Sequence, residues 1–431
     1  MARPQMVVIA GGTVVDSTGS RRADVLIRDG MVESVGAKVA SGPAGTVVLD
    51  AADCVVAPGL VDLHAHLREP GNEEAETVAT GARAAALGGY TAVVAMPNTD
   101  PPVDNAAVVR HVLELGATSC CDVRVAGAIS VGRLGKRMAP LAEMAALGVK
   151  LFTDDGTGVQ DARLMRRALE YASVLDVTLA QHCEDDSLAA GGQMHEGEWS
   201  SRLGIPGQPA EAEELMVMRD LALCRLTGSP IHFLHLSTAG SVAMVGAAKA
   251  SGLPVSAEAT PHHFTLTDAE VAAFDPVFKV NPPLRSGADV AAVRAGLAGG
   301  MLDAIATDHA PHSDEAKEAS FAEAPPGMLG LETALALALG ELDLPIERVI
   351  ALMSWQPARI AGLEGDHGGP VVQGAPANLC VIDLAACWTV EPSRLASLSR
   401  NTPYAGRALT GRVRHTVLRG EPVVVNYEAQ R

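Results

Sequence analysis

The chain has 431 residues, and its 33 basic and 51 acidic side chains leave a net charge of −18. With 48% hydrophobic, 19% charged and only 3% aromatic residues, it has the composition of a folded globule and not of a disordered chain. The acid surplus and the scarcity of aromatics exclude a nucleic-acid groove, a base-stacking platform and an anionic membrane surface. Seven cysteines, none in a C-x-x-C pair, do not make a fully paired disulfide framework or a cysteine zinc site. No basic-plus-apolar leader opens the chain and no apolar run reaches ~18 residues, so a cytoplasmic protein with reduced thiols is expected.

Segments 6–20, 23–36 and 45–59 alternate β-branched residues with Gly and Asp turns and read as short strands. From there the texture changes. Strand-like apolar runs at 61–66, 91–96, 123–129, 149–152, 177–181, 230–235, 254–258 and 304–307 alternate with Ala-rich helical stretches. Those helices are expected at 75–87, 106–115, 141–147, 162–175, 210–226, 239–250, 290–298 and 331–339. After about residue 366 the strand texture returns, in 378–384, 388–392 and 411–425. Eight strand–helix units predict an α/β fold built on a (β/α)8 TIM-type barrel. A doubly wound open sheet is the rival, but neither G-x-G-x-x-G nor a P-loop follows the early strands. The economical domain reading is a barrel over 58–365 and one small β module assembled from both ends, 1–57 plus 366–431.

In such a barrel the chemistry sits at the C-terminal strand ends. Strand one ends in Asp62-Leu63-His64-Ala65-His66, and strand two runs into Met96-Pro97-Asn98. Strand four runs into Asp154-Asp155-Gly156, strand five reaches His182, strand six His235 and strand seven His262-His263. Strand eight ends in Asp308-His309-Ala310-Pro311-His312, and only strand three lacks a metal-capable group. Residues i and i+2 of a strand share a face, so His64 and His66 point together into the mouth. His182 and His235 add nitrogens for a second metal, and Asp308 completes the first site. Two cations held roughly 3.5–4 Å apart need a bridging anion, which Asp154 or Asp155 could supply. Imidazole and carboxylate without thiolate is a catalytic zinc pattern, and a binuclear site suits hydrolysis of an amide-like bond. His232 and Cys183 are read as packing residues facing the other way.

The motifs then resemble a known family. Pro58-Gly59-Leu60-Val61-Asp62-Leu63-His64-Ala65-His66-Leu67-Arg68-Glu69-Pro70-Gly71 and Ala95-Met96-Pro97-Asn98-Thr99 are similar to the signatures of dihydroorotases of the amidohydrolase superfamily. Phe152-Thr153-Asp154-Asp155-Gly156, Val280-Asn281-Pro282-Pro283-Leu284-Arg285, the Asp308–His312 run and the stretch from Pro326 to Thr333 extend the likeness over essentially the whole chain. The resemblance implies a barrel with a β-sandwich-like module from both termini, and interconversion of dihydroorotate and N-carbamoyl-L-aspartate in pyrimidine synthesis. It implies one or two Zn2+ per subunit: His64, His66 and Asp308 on one, His182 and His235 on the other. Asp155 would bridge in the bacterial-type branch. Lys150, where other relatives carry a carbamylated lysine, and Asp154 are the alternatives. Asp308 would be the catalytic acid/base. His66, Arg68, Asn98 and His312 would face the substrate carboxylate and ring, with Asn281 and the Pro326–Gly327 backbone opposite. A homo-oligomer is expected, with aspartate carbamoyltransferase as a candidate partner.

Two other readings are carried forward. One is a hydantoinase or allantoinase, which Arg68 with Asn98 argues against because a neutral ring needs no carboxylate clamp. The other is a metal-free scaffold, which the four intact histidines argue against. The charged, small-residue stretch 313–327 reads as a long loop that borders the pocket and orders on ligand binding.

Overall fold

A computed structural model describes residues 6–37 and 45–431. Parts of the terminal module predicted over 1–5 and 38–44 lie outside the described residues. All eight predicted strands are present and mutually parallel. Leu60–Ala65, Tyr90–Ala95 and Asp122–Val125 form one three-stranded sheet. Leu151–Phe152, Thr178–Gln181, Ile231–Phe233, Val255–Ala259 and Ala304–Ile305 form a five-stranded one. Parallel bridges link the two sheets at both seams, Gly127 to Phe152 and Ala65 to His309. At the first seam a Cβ on Gly127 would lie 2.7 Å from the Phe152 ring, so only glycine lets these strands meet.

The helices follow the expected stretches because sequence supplies both their caps and their faces. Ala162–Leu175 buries Met165, Ala168, Leu169 and Ala172, an i, i+3, i+4, i+7 stripe. Asp161 caps it by accepting a hydrogen bond from the Leu164 amide at 2.8 Å, a contact worth about 1 kcal/mol. Asp176 closes it in the left-handed conformation, φ 54°. Six helices escaped the sequence reading: Asp186–Ala189, Glu198–Leu203, Pro261–Thr265, Asp314–Lys317, Ile346–Met353 and Trp355–Ile360. The last packs Ala358 against Val61, Leu63, Ala92, Leu151, Ala180 and Ala304 of the parallel strands.

The two chain ends pair with each other. Leu379–Thr389 lies antiparallel to Val55–Pro58 and to Ala408–Leu418 in a seven-stranded sheet. A four-stranded sheet of Met31–Gly36, Asp24–Arg28, Met6–Ala10 and Val47–Asp50 stands beside it. Val7, Ile9, Val25, Ile27 and Leu49 of the smaller sheet share one buried cluster with Val14, Val56, Leu379, Val381 and Val417 of the larger. Burial of each such side chain contributes about 1.5–3 kcal/mol. Residues 397–404 instead return to the C-terminal end of the strands: Leu398 N donates to Glu76, Ser399 Oγ to the Ala75 carbonyl, and Tyr404 OH lies 2.7 Å from Thr265 Oγ1.

Candidate metal centre and active site

Four histidines gather around one carboxylate. Asp155 Oδ1 lies 3.4 Å from His64 Nε2, 3.4 Å from His182 Nδ1 and 3.5 Å from His235 Nε2, while Oδ2 lies 3.6 Å from His66 Nε2. The ligand atoms of His64, His66 and Asp155 all fall within 4.8 Å of one another, as do those of Asp155, His182 and His235. Asp155 is common to both groups. Asp308 Oδ1 stands 3.0 Å from His66 Nε2 and 3.5 Å from His64 Nε2. Strand ends one, four, five, six and eight therefore converge, as the spacing predicts.

Other strand-end groups do not join them. Asp154 turns back to take hydrogen bonds from the Ser130 amide, at 3.0 Å, and from its hydroxyl. Lys150 sits away from the cluster, its Nζ donating to the Asp176 carbonyl at 3.2 Å. His263 is occupied by Thr260 and the Pro282 carbonyl, and His309 faces Glu76 at 3.3 Å.

The donor set fits divalent cations. All the atoms are imidazole nitrogens or carboxylate oxygens, and all six residues are buried. His64 Nε2 is buried without a hydrogen-bond partner, and His182 Nδ1 faces His235 Nε2 at 2.9 Å with a carboxylate beside both. Burial lowers His182, but Asp155 and Glu184 outweigh it and bring it up to about 10. Burial raises Asp308 and Asp155, yet the surrounding imidazoles hold both well below the usual carboxylate range.

Beside the cluster opens a cavity of about 170 Å3. Of the residues expected at the site, His66, Arg68, Asn98, Asp155, His182, His235, Asn281, Asp308, His312, Pro326 and Gly327 all line it, and His64 lies beneath them. Arg68 donates Nε–H to the Pro311 carbonyl at 3.0 Å and sets Nη2 3.3 Å from His312 Nε2. Burial pushes this guanidinium down to about 10, against the pull of Asp308, Asp155 and Glu76. His312 donates from Nε2 to the Pro326 carbonyl at 2.8 Å. Burial and the Arg68 and Lys317 cations keep it neutral, at about 3. Gly327 has φ 143°, and a Cβ there would lie 2.8 Å from His312 Nε2. Arg68, His235 and Asp308 all have positive φ, 61°, 29° and 45°, strain of about 1–3 kcal/mol apiece that functional sites characteristically hold.

Apart from Asn98 and Asn281, which the sequence motifs already mark, the supporting residues carry no local signal. Asn98 accepts from His66 Nδ1 at 2.8 Å, and Glu258 lies 2.9 Å from His64 Nδ1. Glu184 faces His182 Nε2 at 3.7 Å and takes hydrogen bonds from Gln208 and Asn281. Asn401 accepts from the His312 amide and donates to the Ala310 and Gly327 carbonyls. His232 corrects the packing reading: it is buried but hydrogen-bonded to Glu258 and Ser256. Stretch 313–327 borders the cavity as expected, but it is docked and partly helical, with one turn at Asp314–Lys317. Lys317 Nζ donates to the Pro276 and Pro325 carbonyls, Lys279 Nζ to those of Phe321 and Ala322, and Phe321 is buried with Met194 and Val271.

Comparison with known proteins agrees with this geometry. A dihydro-orotase-like family model matches residues 53–241. Dihydroorotases of Streptomyces coelicolor and Pelotomaculum thermopropionicum are 50% and 48% identical, over 95% and 97% of this chain and 96% and 98% of theirs. The chain belongs to the dihydroorotase family. A dihydroorotase of Mycobacterium tuberculosis is 46% identical over 93% of this chain and 94% of its own. Among solved structures, an L-hydantoinase (dihydropyrimidinase) from Arthrobacter aurescens superposes with a TM-score of 0.88 at 26% identity, over 99% of this chain and 97% of that one. This dihydroorotase-family chain is therefore a cyclic amidohydrolase by descent.

Proposed function

We propose that the chain is a zinc-dependent dihydroorotase that reversibly hydrolyses the cyclic amide of (S)-dihydroorotate to N-carbamoyl-L-aspartate in de novo UMP biosynthesis. The observation that carries the reading is Arg68: a cation with no carboxylate partner among the described residues, facing the cavity that the His/Asp cluster floors. His64, His66 and Asp308 would hold one zinc, His182 and His235 the other, and Asp155 both. When bound, the zinc ions supply Lewis-acid polarisation of the scissile carbonyl and an acidified water.

The protein groups do the rest. Arg68, with Asn98 and His312 beside it, binds the substrate carboxylate, its fork able to pair in two places. Asn281 and the Pro326–Gly327 backbone hold the ring from the opposite side. Together they fix the amide over the cluster, and such anchoring turns binding into orientation. Asp308 is an anion, the form a base needs. It takes the proton of the attacking water as the C–O bond forms and returns it to the ring nitrogen as the C–N bond breaks. That nitrogen becomes the carbamoyl amine, and the attacked carbon the new carboxylate.

The same reading treats the two parallel sheets as one closed (β/α)8 barrel over 58–365, with residues 1–57 and 366–431 as a sandwich-like module. The seam bridges and the pairing of the two chain ends support it. Among the described residues no helix is long and apolar enough to cross a membrane, and all seven cysteines are free, in keeping with a cytoplasmic enzyme. A homo-oligomer and an aspartate carbamoyltransferase partner rest on the family resemblance alone.

The deciding assay offers dihydroorotate, hydantoin and allantoin in turn to the zinc-loaded and the chelated protein. Ring opening of dihydroorotate alone, and only with metal, is expected. Preference for hydantoin or allantoin, or undiminished turnover after chelation, would overturn the proposal.

A further inference from the structure

Glu258 plays no part in the reaction as derived, yet it is a fully buried carboxylate on Val255–Ala259 that touches both halves of the cluster. Its Oε1 lies 2.9 Å from His64 Nδ1 and takes a hydrogen bond from the His235 amide at 3.4 Å. Its Oε2 lies 3.0 Å from His232 Nε2, and His232 Nδ1 lies 2.8 Å from Ser256 Oγ. An unbroken polar chain thus runs Ser256–His232–Glu258–His64. It is built where parallel barrels ordinarily place branched apolar side chains. A buried carboxylate left unpaired costs several kcal/mol, so its retention here calls for a reason.

We infer that Glu258 is the positioning carboxylate of the metal centre and that His232 is the brace holding it. The inference rests on the metal reading above and deepens it. A neutral imidazole has one N–H and one lone pair. Donating Nδ1–H to Glu258 commits His64 to the tautomer whose Nε2 lone pair faces Asp155 and Asp308. His66 is oriented instead by a neutral amide, Asn98, which cannot raise ring basicity as a carboxylate does. Through the His235 amide the same side chain also steadies the strained residue that carries the other half of the site. His232 supplies a donor to Oε2. Without it that oxygen would be a buried charge with no donor.

The test measures zinc affinity of the full-length metal-free protein by competition with a chromophoric chelator, beside its thermal unfolding. Glu258→Gln keeps an acceptor for His64 but loses the charge, and Glu258→Leu loses both. Weakening of roughly tenfold and roughly a hundredfold, respectively, is expected from the usual cost of losing such a partner. His232→Gln still donates to Oε2 and should rescue most of the affinity that His232→Phe loses. A purely structural role would lower the unfolding temperature and leave zinc affinity of the folded protein unchanged. Unchanged affinity in folded Glu258→Gln overturns the inference. If the Glu258 variants do not fold, equal affinities of His232→Gln and His232→Phe overturn it. A wild-type protein that takes up no zinc sinks the metal reading as well, whereas tight wild-type binding with unaltered variants sinks this inference alone.

Discussion

Replacing Arg68 by methionine tests the substrate assignment most directly. Arg68 spends its Nε on the Pro311 carbonyl and one Nη beside His312, leaving the rest of its fork toward the cavity. Among the described residues it has no carboxylate partner of its own, and burial already weakens its hold on the proton, to about 10. Methionine is close in length and apolar, so the change removes a desolvated cation without opening a large void. Stability should be unchanged or slightly higher. The cost should fall on the substrate. A buried charge-assisted pair that loses one partner forfeits about 2–5 kcal/mol, which at about 1.4 kcal/mol per decade is roughly 30- to 4,000-fold in kcat/KM. KM should rise and kcat fall together, because an unanchored ring leaves the amide misaligned. Arg68→Lys keeps the charge but not the fork and should fall between. The assay follows the loss of the ring's ultraviolet absorbance, with thermal melts as the control. A folded Arg68→Met enzyme with wild-type KM for dihydroorotate would refute the clamp.

Asp308→Asn should abolish turnover and leave the fold intact; substantial residual hydrolysis in a normally melting variant would move the acid/base role elsewhere, for instance to His312. Lys317→Met and Lys279→Met each remove donors to carbonyls at 2.8–3.0 Å that dock the 313–327 segment. Both should raise KM and speed proteolysis within that segment, with a substrate analogue slowing it again; cleavage at the wild-type rate would mean the lysines hold nothing. Glu332 is raised by burial to about 7 from 4.5, against hydrogen bonds from the Ala396 and Ser397 amides. Its folded form binds the proton more tightly than the unfolded form does, so its contribution is full below about pH 4.5 and is lost as pH rises through about 7. In Glu332→Gln the fall in melting temperature across that window should flatten, and an identical slope would remove Glu332 from the account.

The eight strands and their following helices were legible because each is set by a local pattern: an apolar run for the strand, an i, i+3, i+4 stripe and a cap for the helix. Ala162–Leu175 and Ala239–Ala250 begin and end where the sequence places them. Short elements were not legible. Pro261–Thr265 is too brief to show a period, and Trp355–Ile360 opens on Trp-Gln-Pro, which reads as a break. The stretch 313–327 looked loose because its charges and small residues suggest solvent. What docks it is long-range: two lysines that find carbonyls, and Phe321 that finds Met194 and Val271.

The site divides along the same line. The candidate metal ligands could be read from strand ends because the fold brings those ends together whatever lies between them. Their partners could not. Glu258 meets His64 across 194 positions and Asn401 meets His312 across 89, and no spacing within either segment encodes such a meeting. The proposed bridging group shows how fine the distinction becomes. Lys150 and Asp155 lie on either side of the two-residue strand Leu151–Phe152. Lys150 enters that strand, and its long side chain reaches the Asp176 carbonyl, away from the histidines. Asp155 leaves by the other end, where Asp154 anchors the turn on Ser130 and Gly156 permits φ 81°. That anchored turn is what sets both Asp155 oxygens among four imidazoles. A lysine bridge would have to start on the histidine side of the strand, and Lys150 does not.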